Sequence, residues 1–246
     1  MKLVILASGK GSRLNQLTKR QPKCLVKVNK KPIIDYQNKI FPMFNEVIVV
    51  VGFQKEKLIN KLGSKVKFIE NVNYIKTNMV HSLFCPRRYI DEDIIFIYSD
   101  IIFDPRLINR LIYIDKTVLP LNINWLENWK KRMSLKEIYK DAENIKIKNN
   151  KIISIGEKIH NMQLPRFQYM GIMKIKNKDY HVMSNYYKKL KNKGIDFTSF
   201  INSILKNNIV KISYTKSNHF WTEIDTMKDL KAANNLIKKE KSIIKW

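Results

Sequence analysis

The stretch that decides the fold is KLVILASGKGSRLNQLTKRQPKCLVKV, residues 2–28. It begins with an apolar run from Leu3 to Ala7, which predicts a buried strand. A turn containing Gly9 and Gly11 follows at once. Glycines can adopt positive φ and let backbone N–H groups approach a ligand closely, and successive N–H groups form a concavity that binds anions. The sequence therefore predicts an anion-binding loop directly after the first strand.

Two cations follow this loop at fixed positions. Arg13 can grip phosphate oxygens in a planar fork, and Lys23 adds a point charge. The loop and both cations together predict a triphosphate site. The residue pattern excludes two common phosphate-binding motifs, the Rossmann fingerprint and the P-loop. Leu14 occupies the third glycine position of G-x-G-x-x-G, and Gly11 follows Gly9-Lys10 where a P-loop requires serine or threonine.

Length and composition are those of an α/β protein with one core. The 246 residues, 44% of them hydrophobic, predict one domain over residues 1–246. No apolar run reaches the roughly 18 residues of a membrane span, and Lys10 and Arg13 come too early for a secretory signal peptide. Cys24 and Cys85 have neither metal-ligand nor disulfide-framework spacing. We expect a cytoplasmic protein with no membrane partner.

The formal charge of +26 allows two interpretations. A nucleic-acid or anionic-membrane partner would explain it. The lysines are, however, spread along the chain together with many asparagines and isoleucines, which favours the codon bias of an AT-rich genome. We therefore expect small anionic substrates and no nucleic acid. The sequence leaves the oligomeric state open, a homodimer included.

Strands and helices alternate through the first hundred residues. Apolar runs predict strands at residues 46–52, 66–70 and 93–98, and helical patterns cover 31–40 and 54–62. This alternation predicts an α/β fold with a mostly parallel sheet and helices on both faces.

Polar residues stand at two positions where such a sheet would bind a ligand. Thr77, Asn78 and Ser82 can cap a helix whose N-terminus either reads a base edge or is a simple cap. Ser99-Asp100 follows the strand at 93–98, and the carboxyl ends of strands border the ligand crevice of open α/β sheets. Asp100 could bind Mg²⁺ there, or it could merely begin a turn.

Residues 6–23 resemble the L-A-[AS]-G-x-G-[ST]-R-[LM]…P-K signature of nucleotidyltransferases that couple an NTP to a phosphorylated small molecule. Ser8 stands where most members have alanine. The resemblance implies a Rossmann-like, GT-A-like fold, Mg²⁺ as cofactor, and catalytic roles for Arg13 and Lys23. By the same resemblance, the nucleotide-binding residues are Leu6, Ala7, Ser8, Gly9, Gly11, Ser12, Thr77, Asn78, Ser82 and Ser99.

A second motif of this family closes the chain. Residues 221–230 are similar to W-x-[ED]-[IV]-D-x-x-x-D-[LY]. The resemblance implies that Asp225 is a metal ligand beside Asp100, and we expect Asp229 to be structural. His219 has no second histidine at ligand spacing, so we interpret it as non-catalytic.

Two further strings resemble the cytidylyltransferase branch that acts on phosphocholine-like and phosphonate-like substrates. These are N-x-x-Y-x-x-T-N-M-x-x-S-L at residues 71–83 and W-x-x-x-W-x-x-R…D-A-E…I-G-E-K…Q-Y-x-G at 125–171. The likeness implies that residues 117–165 are an insertion covering the acceptor. Arg132 would pair with the acceptor phosphate and Glu143 with an acceptor amine, although surface chemistry explains either residue equally well. The predicted acceptor residues are Arg132, Glu143, Gln168, Tyr169 and Gly171.

The resemblance implies transfer of CMP from CTP to a small phosphonate or phosphomonoester, with release of pyrophosphate. The acceptor would be 2-aminoethylphosphonate, phosphocholine or a phosphorylated amino-acid amide, and the product a precursor for cell-surface glycan or lipid decoration. A sugar-1-phosphate nucleotidyltransferase using UTP or dTTP is the alternative. An inactive nucleotide- or nucleic-acid-binding homologue is more distant, because Arg13, Lys23, Asp100 and Asp225 are all intact.

Overall fold

A computed structural model describes residues 1–159 and 163–240. Residues 160–162 of the predicted insertion and 241–246 of the predicted domain therefore lie outside the described residues. The strands are β1 (Lys2–Ala7), β2 (Lys27–Val28), β3 (Lys31–Pro32), β4 (Glu46–Val51), β5 (Lys67–Glu70), β6 (Ile94–Tyr98), β7 (Ile101–Phe103), β8 (Val118–Asn122), β9 (Asn144–Lys148), β10 (Lys151–Glu157), β11 (Gln168–Tyr169), β12 (Ile172–Ile175), β13 (Ser213–Ser217) and β14 (Trp221–Glu223). The α-helices are α1 (Ile33–Gln37), α2 (Lys55–Leu62), α3 (Met79–Phe84), α4 (Arg106–Ile112), α5 (Trp125–Lys130), α6 (Leu135–Asp141), α7 (Asn177–Lys189), α8 (Phe197–Lys206) and α9 (Met227–Glu240).

The central sheet has the strand order β11-β8-β12-β6-β1-β4-β5, and β13 pairs with β8. Strand β1 lies parallel to both β4 and β6, and β5 lies parallel to β4. Strand β12 runs antiparallel between β6 and β8. The predicted α/β fold with a mostly parallel sheet is confirmed.

Helices cover both faces of the sheet because successive side chains of its buried strands point in opposite directions. Leu3 and Ile5 pack on one face with residues of α1, α2 and α4. Val4 and Leu6 pack on the other face with residues of α3, α7 and α8. This two-sided burial explains why the central strands are continuous apolar runs.

A third apolar cluster joins the two ends of the described chain. Leu14 and Val26 from the segment after β1 pack against Ile224, Leu230 and Ile237 near and within α9. Strand β14 pairs antiparallel with β7, and the N–H of Ile224 donates to the carbonyl of Asp100 at 2.9 Å. This pairing places Asp225 beside Asp100.

The segment predicted as a helix over residues 31–40 is divided in the structure. Asn29 and Lys30 both have positive φ, 47° and 68°, so the chain turns tightly and Lys31–Pro32 pairs with β2. The α-helix therefore begins only at Ile33, and a 3-10 helix containing Pro42 follows it. Within the described residues, no helix is long and apolar enough to span a bilayer.

Candidate active site

The loop after β1 is shaped around Lys23. Gly11 has φ +62°, and an added Cβ there would lie 2.9 Å from the Cβ of Lys23. The hydroxyl of Thr18 donates to the carbonyl of Gly11 at 2.8 Å and holds the turn closed. At Gly9, an added Cβ would meet none of the described atoms within 4 Å. A side chain at Gly11 would therefore displace Lys23, whereas the space beside Gly9 is open.

A cleft opens at the carboxyl end of β1 and gathers most of the predicted nucleotide residues. It is lined by Leu6, Ser8, Gly9, Gly11, Lys23, Tyr74, Thr77, Asn78, Met79, Ser82, Tyr98, Ser99 and Asp100. Two predicted residues lie elsewhere: Ala7 is buried on the opposite face of the sheet, and Ser12 is exposed. Sequence reasoning did not select Tyr74, Met79 or Tyr98, although the first two belong to the string at residues 71–83.

Four charged side chains form what we call the carboxylate–lysine cluster: Arg13, Lys23, Asp100 and Asp225. The Nζ of Lys23 donates to Asp100 Oδ2 at 2.7 Å and also to Asp225. Arg13 Nη2 lies 3.1 Å from the second oxygen of Asp225. Burial opposes the charge of Lys23, but the two carboxylates outweigh it and raise the pKa of this amine above its ordinary value. Lys23 is therefore a fixed cation.

The two carboxylates of this cluster suit a hard divalent cation. Both reach the same point, the Nζ of Lys23, and their side chains are 23% and 20% exposed. Mg²⁺ commonly takes one or two carboxylates and completes its octahedron with water and substrate phosphates. Among the residues that the structure describes, no group of three or more His, Cys, Asp or Glu is arranged to hold a metal. Asp100 and Asp225 thus fit Mg²⁺ as partial ligands.

A second ionic group, the arginine clamp, consists of Arg132, Glu223 and Asp229. Arg132 donates to Asp229 Oδ1 and to Glu223 Oε1, both at 2.6 Å, and its side chain is only 5% exposed. The other oxygen of Asp229 accepts from the backbone N–H of Asp225 at 3.1 Å and of Thr226 at 2.7 Å. The clamp therefore fixes the backbone that carries Asp225, and Asp229 has the structural contacts predicted for it.

An uncharged group, which we call the hydroxyl–amide network, consists of Ser8, Thr77 and Ser82 of the cleft lining and the buried Asn71. The hydroxyls of Ser8 and Ser82 are 2.8 Å apart. Asn71 Nδ2 donates to Ser82 Oγ at 3.0 Å and to Thr77 Oγ1 at 3.1 Å. Asn71 was missed as a site residue, although it is the first position of the string at residues 71–83. Asn78 caps α3 by accepting from the N–H of Met79 at 2.8 Å.

Two of the predicted acceptor residues, Tyr169 and Gly171, contact Tyr98, which lines the cleft, and Glu143 influences the pKa of Tyr98. Tyr169 meets the ring of Tyr98 edge to face at 6.0 Å, and an added Cβ on Gly171 would lie 2.8 Å from that ring. Glu143 accepts from the hydroxyl of Thr198 at 2.7 Å, and burial raises the pKa of its carboxyl. The negative charge of Glu143 in turn contributes to the raised pKa of Tyr98, after burial and Asp100.

The other two predicted acceptor residues are placed differently. Gln168 is buried in β11, and its Oε1 has no hydrogen-bond partner among the described residues. Arg132 lies on a second pocket, whose lining also includes Arg13 and Asp225. Its guanidinium is already engaged by Glu223 and Asp229, so its role toward an acceptor phosphate stays a prediction.

Comparison with known proteins identifies relatives of part or nearly all of the chain. Residues 3–114 match the model of the MobA-like NTP transferase domain. The chain is 33% identical to the CTP:phosphoglutamine cytidylyltransferase of Campylobacter jejuni, over 94% of this chain and 98% of that protein. It is 40% identical to the choline-phosphate cytidylyltransferase of Streptococcus pneumoniae over 89 residues, 34% of this chain and 38% of that protein. It also matches the bifunctional protein GlmU of Methanococcus maripaludis at 28% identity over 96% of its length, and spans 54% of that relative.

Solved structures agree on the fold. The inositol-1-phosphate CTP transferase of T. maritima superposes with a TM-score of 0.73 at 22% identity, covering 97% of this chain and 96% of that one. The CTP:phosphocholine cytidylyltransferase of Streptococcus pneumoniae, LicC, superposes with a TM-score of 0.72 at 19% identity, covering 96% and 98%. These sequence relatives show that the chain belongs to the nucleotidyltransferase family with a MobA-like NTP transferase domain. Among the activities of this family, they favour cytidylyl transfer to a phosphorylated substrate.

Proposed function

We propose that this protein transfers CMP from CTP to the phosphate of a phosphorylated amino-acid amide, such as phosphoglutamine, and releases pyrophosphate. The observation that carries the proposal is the polarity of the cleft. Its charged lining residues are Lys23 and Asp100, which lie with the glycine loop, while the remaining lining is uncharged. Such a cleft suits a molecule with a triphosphate at one end and a base at the other. The relative from Campylobacter jejuni, matched over nearly its full length, supports this class of acceptor.

The reaction needs orientation and charge stabilisation more than proton transfer. An oxygen of the acceptor phosphate attacks the α-phosphorus of CTP, and the bond from that phosphorus to the pyrophosphate oxygen breaks. The phosphoryl oxygens of the acceptor are already anionic near neutral pH, so no general base is required. The barrier comes from bringing two anions together and from the charge that develops on the leaving pyrophosphate.

Residues of this chain would reduce the repulsion between the anions and stabilise the charge on the leaving pyrophosphate. Gly9 leaves room for phosphate oxygens to approach the backbone N–H groups of the loop. Lys23 and Arg13 supply fixed positive charge where the triphosphate would lie, which lowers the repulsion and stabilises the leaving group. The arginine clamp keeps the backbone at Asp225 in place, so the charges are organised before the substrate arrives.

Nucleotidyltransferases of this family generally use a divalent metal ion. We assign Asp100 and Asp225 as the residues that would hold Mg²⁺ together with the nucleotide phosphates. Bound there, the ion would neutralise charge on the triphosphate as a Lewis acid.

The acceptor is proposed to lie beside Tyr98, in the region of Glu143, Tyr169 and Gly171. Glu143 in its ionised form would pair with the ammonium group of an amino-acid amide. We further propose that residues 1–246 work as a single nucleotidyltransferase domain in which 117–165 cover the acceptor. The product would be a CDP-activated precursor for decoration of a cell-surface glycan or lipid.

The test is pyrophosphate release in Mg²⁺ with each NTP against a panel of acceptors. The panel contains phosphoglutamine, phosphocholine, 2-aminoethylphosphonate and glucose-1-phosphate. We expect turnover with CTP and phosphoglutamine. Turnover confined to UTP or dTTP with glucose-1-phosphate would overturn the proposal in favour of a sugar-1-phosphate nucleotidyltransferase.

The matched control variants separate the site from general effects. Asp100→Asn and Asp225→Asn keep the side-chain shape but remove the charge, and we expect both to abolish most of the turnover. Lys27→Ala changes an exposed lysine of β2 outside the cleft and should behave as wild type. Equal turnover in all four proteins would show that the activity does not arise from this site.

A further inference from the structure

We propose that Thr77, positioned by Asn71, selects cytosine over uracil because its oxygen can only accept a hydrogen bond from the base. The inference rests on the proposed function, since it concerns the nucleotide bound in the same cleft. Thr77 was expected to bind nucleotide, but residue types alone give no reason for one base over another. The hydrogen bonds around its hydroxyl supply that reason.

The base end of the cleft follows from the positions of the charges. Lys23 and Asp100 are the charged residues of the lining, they contact each other, and Lys23 lies against Gly11 of the loop, so we place the triphosphate there. Thr77 belongs to the uncharged part, next to the capped start of α3. The nucleoside therefore extends toward Thr77.

The hydroxyl proton of Thr77 is already committed. Thr77 Oγ1 donates to the backbone carbonyl of Asn73 at 2.8 Å and accepts from Asn71 Nδ2 at 3.1 Å. A hydroxyl has one proton and two lone pairs. One lone pair of Thr77 is thus left, and it can serve only as an acceptor.

The orientation of Asn71 is fixed by its own partners. Its Oδ1 accepts from the backbone N–H of Asn73 at 3.0 Å, so its Nδ2 must face Thr77 and Ser82. Asn71 is 1% exposed, and its backbone N–H donates to the carbonyl of Val51 in β4 at 2.8 Å. A side chain held from three sides cannot turn over to present its oxygen to Thr77. The direction of the Thr77 hydrogen bond is therefore built into the fold.

A hydrogen-bond acceptor at Thr77 Oγ1 distinguishes the two pyrimidines. Cytosine carries an amino group, a donor, at the ring position where uracil carries a carbonyl oxygen, an acceptor. The free lone pair of Thr77 would bind the amino group and repel the carbonyl. When two hydrogen-bond acceptors face each other without a proton between them, binding is weakened by more free energy than one neutral hydrogen bond contributes.

The neighbouring hydroxyls do not discriminate in this way. Ser8 and Ser82 share one hydrogen bond in which either can donate, so the pair keeps one free proton that can reside on either oxygen. That pair can adapt to a donor or to an acceptor. Selection is therefore assigned to Thr77 rather than to Ser8 or Ser82.

The experiment measures nucleotide binding by titration calorimetry in Mg²⁺ without any acceptor. The ligands are CTP, UTP and pyrimidin-2-one riboside triphosphate, which lacks the amino group. For the wild type we expect CTP to bind at least about tenfold more tightly than the amino-less analogue, with UTP weaker still. For Thr77→Val the three ligands should bind within about threefold of each other, and Thr77→Ser, which keeps the oxygen, should restore the preference.

Equal binding of CTP and the analogue by the wild type would overturn the inference without any variant, so a misfolded variant cannot leave it undecided. A preference that persists in folded Thr77→Val would overturn it as well. Failure of the proposed function has a different signature, namely no pyrophosphate release from CTP with any acceptor of the panel. Nucleotide binding and turnover therefore report separately on the two proposals.

Discussion

The carboxylate–lysine cluster, which we call the charged wall, and the hydroxyl–amide network, which we call the neutral wall, are built on opposite principles. The carboxylate–lysine cluster joins opposite charges from segments far apart in the chain, with Lys23 and Asp100 2.7 Å apart and Arg13 and Asp225 3.1 Å apart. The hydroxyl–amide network joins neutral groups, and three of its four members lie between residues 71 and 82. Removing one ion from a charged group leaves the others uncompensated, whereas removing one hydroxyl leaves neighbours that still have partners. We therefore expect changes on the charged wall to affect stability and turnover, and changes on the neutral wall to affect nucleotide choice.

The largest effect is expected behind the charged wall, at the arginine clamp. Arg132→Ala leaves Glu223 and Asp229 without their counter-ion in a buried site, which should lower the free energy of unfolding by about 3–5 kcal/mol. Urea denaturation of the wild type and the variant measures this difference in the free energy of unfolding. Lys130→Ala, an exposed neighbour on α5, is the control and should change stability little. A stable Arg132→Ala protein with weak acceptor binding would instead favour a direct role in the acceptor site.

The next effect concerns turnover. Lys23→Ala removes the cation between Asp100 and Asp225, and we expect kcat to fall on the order of 10²–10³-fold, the scale for one preorganised transition-state donor. Steady-state pyrophosphate release with saturating CTP measures the loss. Unchanged kcat would exclude Lys23 from catalysis. Lys27→Ala again serves as the control.

A smaller, pH-dependent effect is expected at Glu143, which lies outside both walls. Burial raises the pKa of its carboxyl, so between the ordinary glutamate pKa of about 4.3 and the raised pKa the folded protein holds a proton that the unfolded chain has lost. This group therefore costs stability as the pH rises through that window. Glu143→Gln should increase the free energy of unfolding at neutral pH, and the gain should disappear at acidic pH.

The same residue gives a second readout of its proposed role. If ionised Glu143 binds the acceptor ammonium, KM for the acceptor should rise in the wild type as the pH falls through the raised pKa. Glu143→Gln should have a high KM that no longer depends on this titration. A wild-type KM that is flat with pH would contradict the assignment.

The smallest effect is expected on the neutral wall at Ser8. Ser8→Ala introduces the residue that most members of the family have, and Ser82 keeps its hydrogen bond from Asn71. One neutral hydrogen bond is lost, so the free energy of unfolding should fall by about 0.5–1.5 kcal/mol and kcat/KM for CTP should change less than about threefold. A large loss of turnover would show that the neutral wall also carries catalytic charge stabilisation.

The sheet and the glycine loop could be predicted from sequence because their signals are local. The apolar run at Leu3 to Ala7 has the length of a buried strand, and the glycines that follow it at once mark its end. The helix predicted over residues 31–40 was partly wrong, because the positive φ of Asn29 and Lys30 that diverts Lys31 into β3 has no apolar signature.

The contacts within the site were less accessible to sequence reasoning because they depend on distant partners. The motif containing Asp225 was recognisable, but nothing local shows that its carboxylate meets Lys23. Arg132 has the residue type of a phosphate ligand, yet it is buried between two carboxylates contributed by β14 and α9. Asn71 resembles any loop asparagine until its partners at Thr77 and Ser82 are known.

The contact between Lys23 and Asp225 spans 202 positions of the chain, and β1 pairs with β6 across more than ninety. During synthesis the ribosome delivers the glycine loop early and the second carboxylate late. The parallel strands can assemble before that, but the charged wall cannot close until β14 and α9 have emerged. Long-range contacts of this kind slow folding because the entropy of closing the intervening loop is lost before the contact contributes stability. We therefore expect active-site assembly to be a late event in folding.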